Sequence, residues 1–149
     1  MTDLDTIDRS LLVELDQNPR CSTSELARRV GVSVPTARER LRRLHEDNVI
    51  RGYHLDIDPA ALGYPFSAFV RVKPGPGQLR RIMDLAATIP EVTECHRITG
   101  EDCLLLRLSA KSIDGFEVTL DQLLMYGQTS TSIVQSTTVA RRNPSLSAS

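Results

Sequence analysis

No apolar run in the 149 residues approaches the roughly 18 needed to cross a membrane, and the acidic N-terminus has no basic segment leading into an apolar stretch. Membrane spanning and secretion are therefore not expected, and a cytoplasmic protein is. Cysteine is scarce: Cys21, Cys95 and Cys103 are odd in number and irregular in spacing, which supports neither a disulfide framework nor a metal knuckle. Catalytic signatures are missing too, since no His, Cys and Asp cluster has metal spacing and no Ser-centred elbow, Gly-rich phosphate loop or Walker motif occurs. His45 and His54 have no partner pattern, and His96 falls mid-strand as an ordinary sheet residue. No cofactor is expected. Net charge is nearly absent as well, at -1, so any attraction to nucleic acid must come from charge segregation.

That segregation is present. Residues 1–19 carry Asp3, Asp5, Asp8, Glu14 and Asp16 against Arg9, a net of -4. Residues 20–51 carry Arg20, Arg28, Arg29, Arg38, Arg40, Arg42, Arg43 and Arg51 against Glu25, Glu39, Glu46 and Asp47, a net of +4. No lysine occurs there, and the guanidinium fork suits bidentate contact with phosphate or guanine.

Leu4, Ile7, Leu11, Leu12 and Leu15 recur at helical spacing and predict a first helix of roughly 12 residues, ended by Asn18-Pro19. Ser22 followed by Glu25 is a capping-box pattern opening a second helix, with Leu26 and Val30 inward and Gly31 stopping it. Ser33 caps a third, Pro35 sits in its first turn, and Ala37, Leu41 and Leu44 form its inner stripe. Asn48 is placed to turn the chain out of that helix in the left-handed region, and residues 49–57 alternate as a strand or wing.

Two short helices joined by a tight Gly-containing turn are how a protein presents a helix to the major groove. With the inner stripe fixed, Ser33, Pro35, Thr36, Arg38, Glu39, Arg42 and Arg43 are the candidate DNA-contacting residues. Thr36 can meet a thymine methyl or a phosphate, Arg38 and Arg42 guanine edges or phosphates, and Glu39 the cytosine amino group. The plainer alternative is a solvated helix face laced by pairs such as Glu39 with Arg43.

Residues 58–65 break both periodicities and mark a boundary. The expected domains are 1–52, a helix-turn-helix; 53–64, a linker with a connecting strand; 65–142, a second domain; and 143–149, a flexible tail. In the second domain a strand over 66–73, a turn at 74–77, and a helix marked by Leu79, Ile82, Met83, Ala86 and Ile89 lead to two strands, Val92 to Thr99 and Cys103 to Ser109. Ser112 then caps a helix with Ile113, Phe116, Leu120, Leu123 and Leu124 inward, and Thr129 to Ala140 is the last strand. Strand, helix, strand, strand, helix, strand is the ferredoxin-like order, so the fold class expected is α+β, a winged helix-turn-helix followed by a ferredoxin-like domain. Its open sheet face, bearing Phe69 or Phe66 and Leu105, is expected to be apolar enough for a second subunit to cover it. A dimer also suits DNA reading, because two recognition helices can address adjacent half-sites.

The turn Gly100-Glu101-Asp102 is explained by Gly and Asp alone. A carboxylate there could instead take an ammonium group, with backbone N–H groups and the hydroxyls of Thr99, Thr129 or Thr131 taking a carboxylate.

Taken together, Leu4-Asp5, Asp8, Leu11-Leu12, Arg20, Leu26-Ala27, Gly31-Val32-Ser33, Arg40, Leu44, Ile50, Gly52-Tyr53, Leu62-Gly63, Val92, Cys95, Thr99-Gly100 and the run Thr129 to Val134 resemble the Lrp/AsnC, or feast/famine, family of transcriptional regulators. The resemblance spans nearly the whole chain. It implies an N-terminal domain binding double-stranded DNA, a C-terminal domain for ligand sensing and oligomerisation, and dimers that often assemble to octamers. It also implies a small-molecule effector, commonly an amino acid, near the hairpin, so Thr99, Gly100, Glu101, Asp102, Cys103, Thr129 and Thr131 are the candidate effector residues. Cys103 stands where the family often has an Asp, and Leu124 to Gln128 lacks the Pro-Gly-Val turn often seen before the last strand. The other readings are an oligomeric small-molecule enzyme and an adaptor that docks protein through its helical domain.

Overall fold

Asp5 lies in extended backbone and its carboxylate accepts the Asp8 N–H at 2.9 Å, which starts the first helix, α1, Thr6–Gln17. The structure is a computed structural model describing residues 3–146. Ser22 Oγ accepts the Glu25 N–H at 3.2 Å to open α2, Thr23–Val30, and Gly31 ends it at φ 77°, a conformation that strains any residue with a Cβ. Ser33 Oγ accepts the Thr36 N–H at 3.2 Å to open α3, Val34–Glu46, and Asn48 at φ 56° carries the chain out of it. These starts and stops lie where the capping residues placed them.

Leu11, Leu26, Ala27 and Ala37 form the centre of the helical core, with Ile7, Leu15, Val30 and Leu41 packed around them. Ala37 is fully buried, and its single methyl is what lets α3 come down on the other two helices.

Residues 49–57, expected as a strand or wing, form no ladder. Alternation supplies a face for a strand but not a neighbour to take its N–H and C=O groups, and no described strand pairs with this segment. Tyr53, Leu55 and Ile57 are all exposed.

The chain divides into two compact units: one takes the chain up to Leu55 and resumes at Val139, and the other is Asp56–Thr138. In the second unit a short 3₁₀ turn, Pro59–Leu62, leads into β1 (Phe66–Pro74), α4 (Leu79–Ala86), β2 (Val92–Arg97), β3 (Leu104–Ala110), α5 (Ile113–Leu124) and β4 (Gly127–Ile133). The sheet is antiparallel in the order β2-β3-β1-β4, the ferredoxin-like arrangement. Ala68, Val70 and Val72 of β1 and Leu104, Leu106, Leu108 and Ala110 of β3 point to the helical side and meet Ile82, Ala86, Phe116 and Leu123 in one core.

Three expectations for this unit change. Ile113 and Leu124, placed inward, are about half exposed, because they sit in the terminal turns of α5 beyond the reach of the sheet, and Phe116, Thr119 and Leu123 fill its buried stripe. The last strand stops at Ile133 and does not continue to Ala140, since β1, its one partner among the described residues, runs out: Ile133 pairs with Ala68, and the Val134 N–H donates to Ser67 O. The open face is more polar than its sequence suggested. Phe69 and Leu105 are there, but so are Arg71, Lys73, Glu94, His96, Arg107, Ser130 and Ser132, while Phe66 packs toward the core. Arg107 donates to Glu94 at 3.4 Å and lies 6.0 Å over the Phe69 ring, so guanidinium and aromatic shield each other.

Leu11→Ala removes a side chain with no exposure from the centre of the helical core and is expected to destabilise that unit by about 2–5 kcal/mol. Urea unfolding followed by circular dichroism measures it, and a loss below about 1 kcal/mol would mean that this core is not close-packed.

Candidate nucleic-acid interface

The candidate surface is the outer side of α3. Pro35, Thr36, Arg38, Glu39, Arg42 and Arg43 are all exposed, while Ala37 and Leu44 turn inward. Ser33 is exposed too, but its hydroxyl is occupied: it caps the helix and sits 2.7 Å from Thr36 Oγ1.

What holds this face outward is a contact that pattern reading did not identify. Arg40 Nη1 reaches the Asp5 carboxylate and lies 3.3 Å from both carboxylate oxygens of Asp8, whose residue is 3% exposed. The guanidinium therefore joins α3 to the first turn of α1. The only sequence sign was the i,i+3 pair of carboxylates, Asp5 and Asp8, opening a helix that lies far from Arg40 in the chain.

The arginines of residues 20–51 divide into two sets. Arg29 is forked onto Glu25 at 2.6 and 3.1 Å and also reaches Glu14 at 3.2 Å. Arg28 stands 4.0 Å from Glu25, and Arg40 is held as above. Arg42 is forked onto Glu39, with Nε to Oε2 at 2.9 Å and Nη2 to Oε1 at 2.5 Å, and its Nη1 contacts Glu46. The expected partner of Glu39 was Arg43, one turn on; Arg42, three residues on, takes it instead. Arg20, Arg38, Arg43 and Arg51 are exposed and make no ion pair among the described residues.

These pairings leave their mark on the carboxyls. The Glu39 carboxyl is held below its usual range chiefly by its hydrogen bonds from Arg42, and Glu25 by those from Arg29. Asp5 is lowered first by the Asp8 N–H and then by Arg40. Arg42 itself is raised by Glu39 and Glu46.

The candidate effector residues lie in the second unit. Gly100 takes φ 108° and Cys103 φ 22° in the hairpin between β2 and β3, and Thr99, Gly100 and Glu101 are exposed while Asp102 and Cys103 are half-buried. Glu101 Oε2 accepts from Lys73 Nζ at 2.8 Å, on the open side of the sheet. Thr131 pairs with Val70 and so shares the helical side, with Thr129 two residues before it on that side. Within one chain the hairpin is thus brought together, and the two threonines stand on the other side of the sheet. Where the Pro-Gly-Val turn is missing, Gly127 keeps the essential feature: a Cβ there would lie 2.5 Å from the Lys73 carbonyl oxygen, so only glycine fits against β1.

Residues 4–51 match the winged helix-turn-helix DNA-binding family, and residues 67–144 match the Lrp/AsnC ligand binding domain. The chain is 32% identical over 131 residues to the transcriptional regulator LrpC of Bacillus subtilis, covering 88% of this chain and 91% of that one. The solved structure of LrpC superposes with a TM-score of 0.88 at 31% identity, over 94% of this chain and 100% of that one. The leucine-responsive regulatory protein of Rhizobium meliloti is 36% identical, over 77% of this chain and 76% of its own. A feast or famine regulatory protein from M. tuberculosis, solved in complex with L-methionine, is 34% identical with a TM-score of 0.89, over 95% and 99% of the two chains.

The lowered carboxyls set the pH response of the helical unit. A carboxyl whose pKa is lower folded than unfolded contributes stability above its unfolded value and loses it as pH falls through the folded one. With Asp5, Glu25 and Glu39 all lowered, the melting temperature is expected to hold from about pH 7 to about pH 5 and to fall below about pH 4. Thermal melts across that range check this, and a midpoint that rises on acidification would contradict it.

Proposed function

The chain belongs to the Lrp/AsnC family of DNA-binding transcriptional regulators, and from that premise we propose how it works. Helix α3 enters the major groove of double-stranded DNA, with Ser33, Pro35, Thr36, Arg38, Glu39, Arg42 and Arg43 at the contact. The observation that carries this reading is the exposed face of α3, capped at Ser33, held by Arg40 and bearing the unpaired Arg38 and Arg43. The protein acts as a homodimer, because one helix spans too few base pairs for specificity and two address paired half-sites. Dimers assembling to an octamer are the family's habit and extend the same reading.

The second unit senses a small molecule, for which an amino acid is the best candidate. Support comes from the hairpin, where Glu101 and Asp102 lie together beside the positive-φ Gly100, and from the relative solved with L-methionine. Glu101 already holds Lys73, so an incoming ammonium competes with that lysine there, whereas Asp102 carries no such ion pair. Asp102 is therefore the anchor, with backbone groups of Thr99 to Cys103 beside it. Thr129 and Thr131 complete the site only where a second copy or a ligand-bound rearrangement brings them to the hairpin. No helix among the described residues is long and apolar enough to cross a membrane.

Calorimetric titration of the full chain with the amino acids, one at a time, tests the effector. Losing one partner of a desolvated charge pair costs about 2–5 kcal/mol, so Asp102→Ala is expected to weaken the best ligand at least about tenfold, while Glu101→Ala changes it little. A panel without a binder, or a binder indifferent to both substitutions, would leave the hairpin a turn. DNA binding is tested by gel shift on sites selected from a random library. Arg38→Ala should cost about 1–3 kcal/mol there if it reads a base, and an equal loss on all duplexes would make Arg38 a phosphate contact.

A further inference from the structure

We propose that Glu39 and Glu46 are built-in competitors for Arg42, holding its guanidinium along α3 so that this arginine engages DNA only where a cytosine amino group takes Glu39 and a guanine edge takes Arg42. This rests on α3 being the DNA-reading helix. It assigns different tasks to arginines that composition alone makes equivalent: Arg38 and Arg43, with Arg20 and Arg51, carry binding to any duplex, and Arg42 carries discrimination.

The geometry favours this division. The fork on Glu39 uses the same two N–H groups that would meet guanine O6 and N7, and Glu46 takes a third. Within this cluster one positive charge stands against two negative ones in hydrogen-bond reach, on a face whose other arginines, Arg38 and Arg43, carry no such pair. All three side chains are more than half exposed, so water screens the pairs and they add little to the stability of the fold. Their effect on DNA is larger. The duplex carries one charge per about 1.7 Å, and two carboxylates held near it oppose every phosphate within the roughly 10 Å screening length. On a random sequence no base group replaces Arg42 on Glu39, so Arg42 stays on its own helix. At a G·C pair in register, the cytosine N4 group donates to Glu39 as Arg42 did, and the released fork turns to guanine. Only on that sequence does Glu39 keep a donor once Arg42 has left; on the others, release of Arg42 would leave the carboxylate without one at the DNA surface, and that cost keeps the fork closed.

The test compares salt titrations of the full chain on a random-sequence duplex and on a site selected by the unmodified protein. Each phosphate contact contributes about 0.9 to the slope of log affinity against log salt. On random DNA, Arg42→Gln is expected to leave the slope unchanged, Arg38→Gln to reduce it by about 0.9, and the double substitution Glu39→Gln with Glu46→Gln to steepen it by about 0.9 with several-fold tighter binding. On the selected site, Arg42→Gln is expected to weaken binding at least about fivefold, and Glu39→Gln to relax the preference for one G·C pair. Asp47→Asn removes one negative charge from the adjoining turn, against two in the double substitution, without touching Arg42, and should give well under half of its effect.

The inference is overturned if Arg42→Gln flattens the slope on random DNA as Arg38→Gln does, or if Asp47→Asn gives half or more of the effect of the double substitution, which would make the effect one of net charge. Thermal melts confirm that the variants are folded. An unmodified chain with no salt-dependent affinity for any duplex would overturn the DNA-reading role of α3 and this inference with it, whereas a binding chain with the wrong pattern among variants overturns the inference alone.

Discussion

Taking a carboxylate out of water is costly unless a partner lies beside it, and the almost fully buried Asp8 has one in Arg40. The rest of the helical unit is arranged around that need. Arg40 lies on α3 between the buried Ala37 and Leu44, so meeting Asp8 fixes the rotation of the helix about its own axis as well as its distance from α1. Asp5 serves twice, capping α1 through the Asp8 N–H and taking a share of the same guanidinium. Hydrophobic burial of Leu11 and Ala37 would tolerate small rotations of α3. The contacts that converge on Arg40 Nη1 from two carboxylates tolerate fewer, and it is the rotation that decides which side chains face outward.

The second unit obtains its order differently. Its sheet buries one side against two helices through a strict alternation on β1 and β3, with Val70, Val72, Leu104, Leu106 and Leu108 on that side. The opposite side is kept presentable to water by charge placed among its few apolar groups: Arg107 over Phe69, and Glu94 between Arg107 and His96. An interface formed there would be satisfied by ion pairs as much as by apolar contact, which favours register and partner choice over raw adhesion.

Local signals in the sequence were read well because they act locally. Ser22, Ser33, Gly31 and Asn48 each satisfy or terminate a helix within three or four residues, so spacing is enough to place them. The order of elements in the second unit was legible for the same reason, since period and turn residues are properties of short segments. What sequence could not give were choices among distant or competing partners. Asp5 and Arg40 are 35 positions apart, and nothing at either position announces the other. Glu39 had two arginines within helical reach, and side-chain geometry, not spacing, chose Arg42 over Arg43. The alternation of residues 49–57 described a face without saying whether any strand lies beside it. The threonines of β4 looked like neighbours of the hairpin until register put them on the other side of the sheet.

The described end of the chain, expected as a tail from residue 143, comes back to the first unit: Asn143 Nδ2 donates to Asp16 Oδ1 at 2.6 Å, and Leu146 lines an open groove of about 530 Å³ with Leu4, Val13 and Val30. The second unit is thus, in connectivity, an insertion within the helical one. Closing so long a loop costs little more than closing a shorter one, because each doubling adds only about 0.6 kcal/mol. The consequence is one of timing. On the ribosome the three helices emerge before the second unit, yet the piece that completes their unit is translated after it, so the helical unit reaches its final form only once the whole second unit has been made.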